Sequence, residues 1–443
     1  MGLTRREFLA GSAALAVLGD GLAAAAPDAR VFESASGEAA DFLVCRRLYL
    51  DICGRLPTRE EVERFVGSSD GRKVAALADE LLASDAYADY WSMRTCDILR
   101  VKSEFPINLW PNAVYVYHRR IRAAIANDEP WDDFARALLG GRGSNFRVPE
   151  SNFLRAVQTR TPEGLSSAAS LTFLLDPTER YASYFSRVGW KSTREWKEEI
   201  VYLRDGPDEA TPEAFGELLT GKLRERFHAV PAVRVHEWLF GTRPKEGRLK
   251  DWVAAFESGG LRLKPLLRHV FTSPDYLAGP FRGGFPARRM DAEVLEDALC
   301  DLTGAPHVYQ SIAPEPFTYL PKDRRAILIE DGSVSTPFLL LFGRPARDSG
   351  ELSERSNAIT AKQRLLLFNS AKIWRELGDM AGTPRMKTLK WDEKVEDVYL
   401  RFLARPPTEG EMALLRRTVG KRKLGVREVA WLLLNSREFL YRI

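Results

Sequence analysis

CRRLYLDICGRLPTREE, residues 45–61, returns without a gap 350 positions later as VEDVYLRFLARPPTEGE, residues 395–411. The shared positions include Tyr49/Tyr399, Leu50/Leu400, Arg55/Arg405, Pro57/Pro407, Thr58/Thr408 and Glu61/Glu411. Cys45, Leu48, Tyr49, Ile52 and Cys53 recur at i, i+3, i+4, i+7 and i+8, which is one apolar stripe of a helix. Val395, Val398, Tyr399, Phe402 and Leu403 repeat that stripe. The proline disfavours helix at the residue before it. Thr58 with Glu61, and Thr408 with Glu411, then have the spacing of a capping box that opens a second helix. Each unit ends on a serine three residues before an aromatic, Ser84 before Tyr87 and Ser436 before Phe439. A weaker copy runs from Trp238 through Arg243 and Pro244 to Ser273, Pro274 and Tyr276, without the capping threonine. The spacing from arginine to serine is 29, 30 and 31 residues, which predicts three related helical hairpins.

Outward from the repeats, helical patterning continues through Asn112–Leu139 and Ser166–Phe185. Glu199–Leu203 and Ala326–Ile329 read as short strands. Pro27–Ser36, Asp205–Pro212 and Arg344–Ser353 read as linkers, rich in Gly, Pro, Asp or Ser. The expected fold is mainly α: helical-hairpin modules in a multi-helix body with a few short β-strands. The expected divisions are a leader over 1–26, an N-terminal helical domain over 27–204, a middle segment over 205–285 and a C-terminal domain over 286–443.

The first 26 residues combine Arg5-Arg6 before Phe8-Leu9, a short apolar run and Ala23–Ala26, the three parts of an export signal. The paired arginines resemble a twin-arginine address, which a translocase reads and which is not an anchor. The expected location after cleavage is periplasmic or extracellular. The apolar run is far short of the ~20 residues of a membrane span, and no later segment is long enough. A hydrophobic content of 45% and a net charge of +4 spread along the chain describe a globular body, with no case for nucleic acid. Cys45 and Cys53 on one helix stand ~12 Å apart, beyond bridging distance. They occupy the places of Val395 and Leu403, so they read as core residues.

RRLYLDICGRLPT (46–58), LLASDAYADYW (81–91), the Asp128, Pro130, Asp132, Phe134 pattern and RYASYFSRVGWKST (180–193) are accompanied by a second set of motifs. That set is ARRMDAEVLEDAL (287–299), DGSVSTPFLLLFGRP (331–345) and Glu354, Arg355, Gln363 and Asn369. In this order they resemble the planctomycete-type paired domains of unknown function associated with cytochromes, the PSCyt/PSD type. The resemblance covers nearly all of the chain after the leader. Many members of that type carry a C-x-x-C-H-x-H segment before their Y-x-x-x-F stretch. Here Phe173–Pro177 runs almost directly into Tyr181–Phe185, so the haem, metal or redox role of that segment does not transfer.

His118, His228, His236, His269 and His307 lack metal-ligand spacing, and no metal or other cofactor is expected. Asp128, Asp132 and Asp133 around Pro130 read as helix-start chemistry. Arg288, Arg289, Asp291 and Glu293 read as a charged helix start. Arg289, Glu354, Arg355, Gln363 and Asn369 have two readings: a buried network fixing a domain junction, or a ligand-binding cluster for an anionic glycan group. Trp91, Trp110, Trp131, Trp190, Trp196, Trp238 and Trp252 read mostly as core anchors, with a sugar-binding face as the other use. The functional expectation is a non-catalytic scaffold or binding module for an exported partner protein or a polysaccharide. The alternative is an enzyme or redox accessory in periplasmic glycan degradation.

Overall fold

A computed structural model describes residues 38–278, 287–306, 308–311, 318–321, 323–422 and 425–442. The leader with Arg5 and Arg6, the linker Pro27–Ser36 and His307 lie outside the described residues. The fold is mainly α, with a few short strands in two small sheets. No helix among the described residues is long and apolar enough to cross a membrane.

The repeat is real and larger than a hairpin, because each unit is a run of four helices. The first unit is Glu38–Cys53, Arg59–Val66, Lys73–Leu82 and Asp85–Ile98. The middle unit is Arg224–Phe240, Glu246–Ser258, Leu263–Phe271 and Pro274–Ala278. The last is Trp391–Leu403, Glu409–Arg422, Val426–Leu434 and Arg437–Leu440. The stripe residues Cys45, Leu48, Tyr49, Ile52 and Cys53 are buried, as are Val395, Val398, Tyr399, Phe402 and Leu403. Counted back from Phe240, the middle unit buries Ala232, Val235, His236 and Leu239 at the same places. Each first helix is left through a residue of positive φ: Gly54 (60°), Gly241 (73°) and Ala404 (58°). That turn sends the chain back against its own stripe.

In the outer units the capping box forms as its spacing requires. Glu61 N–H donates to Thr58 Oγ1 at 3.2 Å and Thr58 N–H to Glu61 at 2.7 Å. The corresponding bonds of Thr408 and Glu411 are 3.2 and 2.8 Å. In the middle unit, helix Glu246–Ser258 starts without a side-chain cap. All three closing serines accept the amide three residues on and donate their hydroxyl to a carbonyl of the preceding turn. Three copies of one cap geometry explain the near-constant arginine-to-serine spacing.

The buried apolar side chains form two clusters. The larger draws on all three units and on helix Ala292–Thr303. The smaller lies between residues 96 and 227 and gathers Trp131, Phe153 and Phe227 around Phe173. Beside it, strand Glu199–Leu203 pairs antiparallel with Val188–Ser192 on one edge and Gly143–Ser144 on the other. A second pair, Arg288–Arg289 with Tyr441–Arg442, ties the end of the last unit to the entry of helix Ala292–Thr303.

Three local expectations are corrected. Ala326–Ile329 is not a strand: Ala326–Leu328 is a 3-10 turn, because the Asp297 carboxylate takes the Ala326 and Ile327 amides and leaves them no ladder to join. Ser166–Phe185 is not continuous: the helix Pro162–Leu174 stops at Leu175, φ 57°, and a 3-10 helix Glu179–Phe185 follows. Asp128 does not cap the helix that follows it, Trp131–Gly140, whose N-terminus has no side-chain cap. Its Oδ1 accepts the Lys264 amide at 2.9 Å and so serves the first turn of helix Leu263–Phe271. Asp132 and Asp133 do stand in the first turn of Trp131–Gly140, where the helix dipole favours them.

Candidate functional site

The five residues of the sequence-derived polar cluster have separate surroundings. Arg289 is buried and its guanidinium donates to the carbonyls of Met290, Phe342 and Ser356 at 2.6, 2.6 and 2.8 Å. Glu354 accepts the amides of Asp348, at 3.1 Å, and Ser349. Gln363 closes a capping box with Thr360 and donates to the Leu341 carbonyl at 2.8 Å. Asn369 is exposed at the end of helix Ala361–Asn369. Only Arg355 enters a charge cluster: it pairs with Asp97 at 2.8 Å and with Glu293 at 2.6 Å.

That cluster spans the molecule's two halves. Asp97, near the end of helix Asp85–Ile98, also accepts from Arg347 at 2.8 Å. Glu293 lies 3.4 Å from Arg344. Asp291 pairs with Arg94 and accepts from Tyr90 at 3.0 Å and Asn357 at 2.9 Å. All are buried except Arg355, whose side chain is buried though its backbone is not, and Asn357, which is half-exposed. Burial pushes the Asp291 carboxyl up, but Arg94, Arg355 and Arg442 outweigh it and hold it well below the usual range. Glu293 is likewise held down by Arg355 and Arg344 against its burial. A buried ion pair gains little over an apolar contact, but removing one partner strands the other charge. The cluster therefore specifies how the halves meet. Lys102 with Asp348, and Ser103 N–H to Asp331 at 2.9 Å, extend the same seam.

Next to it, helix Ala292–Thr303 carries two carboxyls pushed the other way. Burial and the neighbouring Asp297 raise Glu296 to about 7. Burial also raises Asp297 to about 7, against Arg325 and the two amides it accepts. Burial lifts Cys45 and Cys96 to about 12 and Cys53 to about 11, so all three stay protonated thiols at neutral pH. Cys45 and Cys53 are core residues, as their places in the repeat predict. Among the histidines, burial drives His118 down to about 3, while His228 faces Glu257 at 2.7 Å and His269 faces Asp251 at 2.8 Å. No group of three His, Cys, Asp or Glu side chains placed to hold a metal ion occurs among the described residues.

An open cleft of about 260 Å³ lies elsewhere, lined by Trp110, Asn112, Phe146, Arg147, Glu195, Trp196 and Glu198. Three segments build it. Trp110 precedes helix Pro111–Ala126, Phe146 and Arg147 follow the edge strand Gly143–Ser144, and 193–198 joins the two other strands. Asn145 locks the last two together: its Oδ1 accepts the Glu199 backbone N–H at 2.9 Å, and its backbone N–H donates to the Glu199 carbonyl at 3.0 Å. Glu198 is held by the Ser144 and Thr193 hydroxyls, which keep its carboxyl below the usual range. Trp196 is 69% exposed. The Lys197 ammonium lies 5.4 Å from the Trp196 ring centre and 6.0 Å from that of Trp110, so both rings reach one shared space. Trp110 (φ 72°) and Lys197 (φ 64°) hold positive φ without being glycine. Such positions cost on the order of 1–3 kcal/mol each, and tend to mark functional sites. A broader depression of about 510 Å³ is lined by Trp391, Lys394, Arg427 and Glu428 together with small residues such as Gly378 and Gly382.

Residues 29–188 match the PSCyt2 family and residues 281–419 match PSD1, each described as a protein of unknown function (DUF1549 and DUF1553). The chain belongs to this paired-domain type. No curated protein and no solved structure matches it. The matches give the charge cluster its meaning. Arg94 and Asp97 belong to PSCyt2, whereas Asp291, Glu293, Arg344, Arg347 and Arg355 belong to PSD1. The middle repeat unit falls between the two matches. The cleft is a PSCyt2 feature completed by the 193–198 turn just beyond it.

Asp97 was not legible as a partner of Arg355, 258 residues away. Trp196 did carry a signal: in Arg194-Glu195-Trp196-Lys197-Glu198 a large aromatic stands among charges with no apolar period to bury it.

Proposed function

We propose that this chain is an exported, non-catalytic binding module whose PSCyt2 and PSD1 domains are locked into one body that displays a surface to a polysaccharide or an exported partner protein. The observation that carries the reading is the state of the junction arginines. Arg355 spends all three guanidinium nitrogens on Asp97 and Glu293, and Arg289 spends both terminal nitrogens on backbone carbonyls with its Nε buried, so neither fork is aimed at a ligand. The twin-arginine-like leader supports a periplasmic or extracellular location. Native mass spectrometry of the protein recovered from the periplasm tests this reading. It expects a mature chain starting near residue 27, without a tightly held small molecule and able to take up polysaccharide fragments or a partner. A leader still attached in the cytoplasm, or a stoichiometric redox group, would contradict it.

One observation favours the enzyme alternative. Glu296 and Asp297, both near neutral pKa, have the poise of general acid–base groups. Asp297 is spent on the Ala326 and Ile327 amides, which leaves Glu296 to act. Loss of a glycan-cleaving activity in Glu296→Gln, with folding intact, would establish that reading.

A further inference from the structure

We propose that the Trp110–Trp196 cleft is a glycan subsite that stacks one ring of a neutral, hydroxyl-rich polysaccharide. This rests on the binding-module reading and names its ligand and its place. Four observations meet here. First, the half-exposed Trp110 indole and the exposed Trp196 indole reach one space, marked by the Lys197 ammonium within 6.0 Å of both ring centres. A pyranose presents an apolar C–H face to such rings while its hydroxyls point outward, the same division of apolar body and polar rim that suits tryptophan to interfaces. Second, the hydroxyls would meet hydrogen-bonding groups of both kinds: Asn112, Arg147 and Glu195 line the cleft and all lie toward solvent. Third, the charged residues that line the cleft are Arg147 against Glu195 and Glu198, so a sulfated or carboxylated chain would meet no excess of positive charge among them. Fourth, at about 260 Å³ the space is below the ~300 Å³ lower end of enclosed small-molecule pockets and open at its mouth, which suits one unit of a chain that continues past it.

The positive φ of Trp110 and Lys197 gives the cleft its shape before any ligand arrives. Asn145 and the hydroxyls on Glu198 fix the turn that carries Trp196. Lys197 lies over the rings and must swing aside for a sugar, which exchanges one ring contact for another. Preorganised walls with a displaceable cover lower the ordering cost of binding.

The test is affinity electrophoresis of the full-length mature protein through gels containing xyloglucan, barley β-glucan, galactomannan, arabinoxylan or pullulan, with dextran sulfate as the charged control. Trp196→Ala and Arg147→Ala are run beside the wild type, and circular dichroism melts report folding. At least one neutral polysaccharide retards the wild type, and Trp196→Ala weakens that retardation roughly tenfold with its melt unchanged. Retardation that survives Trp196→Ala overturns the cleft and leaves the binding-module reading standing. Retardation by dextran sulfate alone overturns the neutral-glycan assignment. No retardation by any polysaccharide overturns the proposal, and the module reading then rests on a protein partner alone.

Discussion

The PSCyt2–PSD1 junction and the Trp110–Trp196 cleft both gather charged residues, yet they solve opposite problems. At the junction, Arg344, Arg347 and Arg355 are buried and meet Asp97 and Glu293, so each charge is answered within the protein. At the cleft, Arg147 keeps 76% of its side chain exposed, and Trp196 stands in solvent. A charged group that already has its partners reads as architecture. Two indoles with solvent-facing polar neighbours, Asn112, Arg147 and Glu195, read as a surface kept ready. Residue type alone points to the arginines, while their surroundings point to the tryptophans.

The sharpest way to break this contrast is at Arg355. Replacing it with methionine leaves Asp97 with Arg347 alone and Glu293 with the more distant Arg344 alone, and removing one partner of a buried pair costs about 3–5 kcal/mol. Urea unfolding followed by circular dichroism measures it, and a loss under about 1 kcal/mol would show that the seam does not join the domains. The same distinction recurs within the repeat. Arg405 is paired with Glu411 at 2.8 Å and Glu438 at 2.6 Å, and all three are buried. Among the described residues its counterpart Arg55 pairs with Glu61 alone, both near 22% exposed, because Ala86 stands where the last unit has Glu438. Arg405→Ala is therefore expected to cost about 3 kcal/mol, and Arg55→Ala about 1 kcal/mol or less. Equal losses in the same unfolding experiment would contradict the comparison.

Acidity separates two classes of buried carboxyl. Asp291 and Glu293 titrate lower in the folded chain than unfolded, so they stabilise above pH ~4 and lose that contribution as pH falls further. Glu296 and Asp297 titrate higher when folded, so their contribution is complete below pH ~4 and lost as pH rises through about 7. Melting temperature should fall on both sides of a mildly acidic optimum. Glu296→Gln should flatten the alkaline side only, and a melt series from pH 3 to 9 checks both limbs.

Much of the fold was legible because it is local. The Thr58/Glu61 and Thr408/Glu411 capping boxes, the stripe from Cys45 to Cys53 and the closing serines each act within a few residues, so their spacing survives in the sequence. The Asp128 carboxylate shows where that ends, since it serves a helix that starts more than 130 residues later. Ala326–Ile329 has the composition of a strand but lacks a partner, because Asp297 claims its amides. The polar cluster was half legible: Arg355 and Arg289 stood out, but what they touch lies in distant segments or on backbone carbonyls. The cleft was least legible, because Trp110, Phe146 and Trp196 meet only once the three strands are paired.

The smallest effect on stability is expected where the effect on binding is largest. Trp196 is mostly in solvent, so Trp196→Ala should change unfolding free energy by no more than about 0.5 kcal/mol. Measured on one preparation, affinity for the neutral polysaccharide that retards the wild type and unfolding free energy together test the central claim that binding resides in the cleft and architecture in the junction. The prediction is a roughly tenfold loss of affinity for Trp196→Ala at unchanged stability. Full affinity in that variant, or a loss of affinity that tracks a loss of stability, would contradict it.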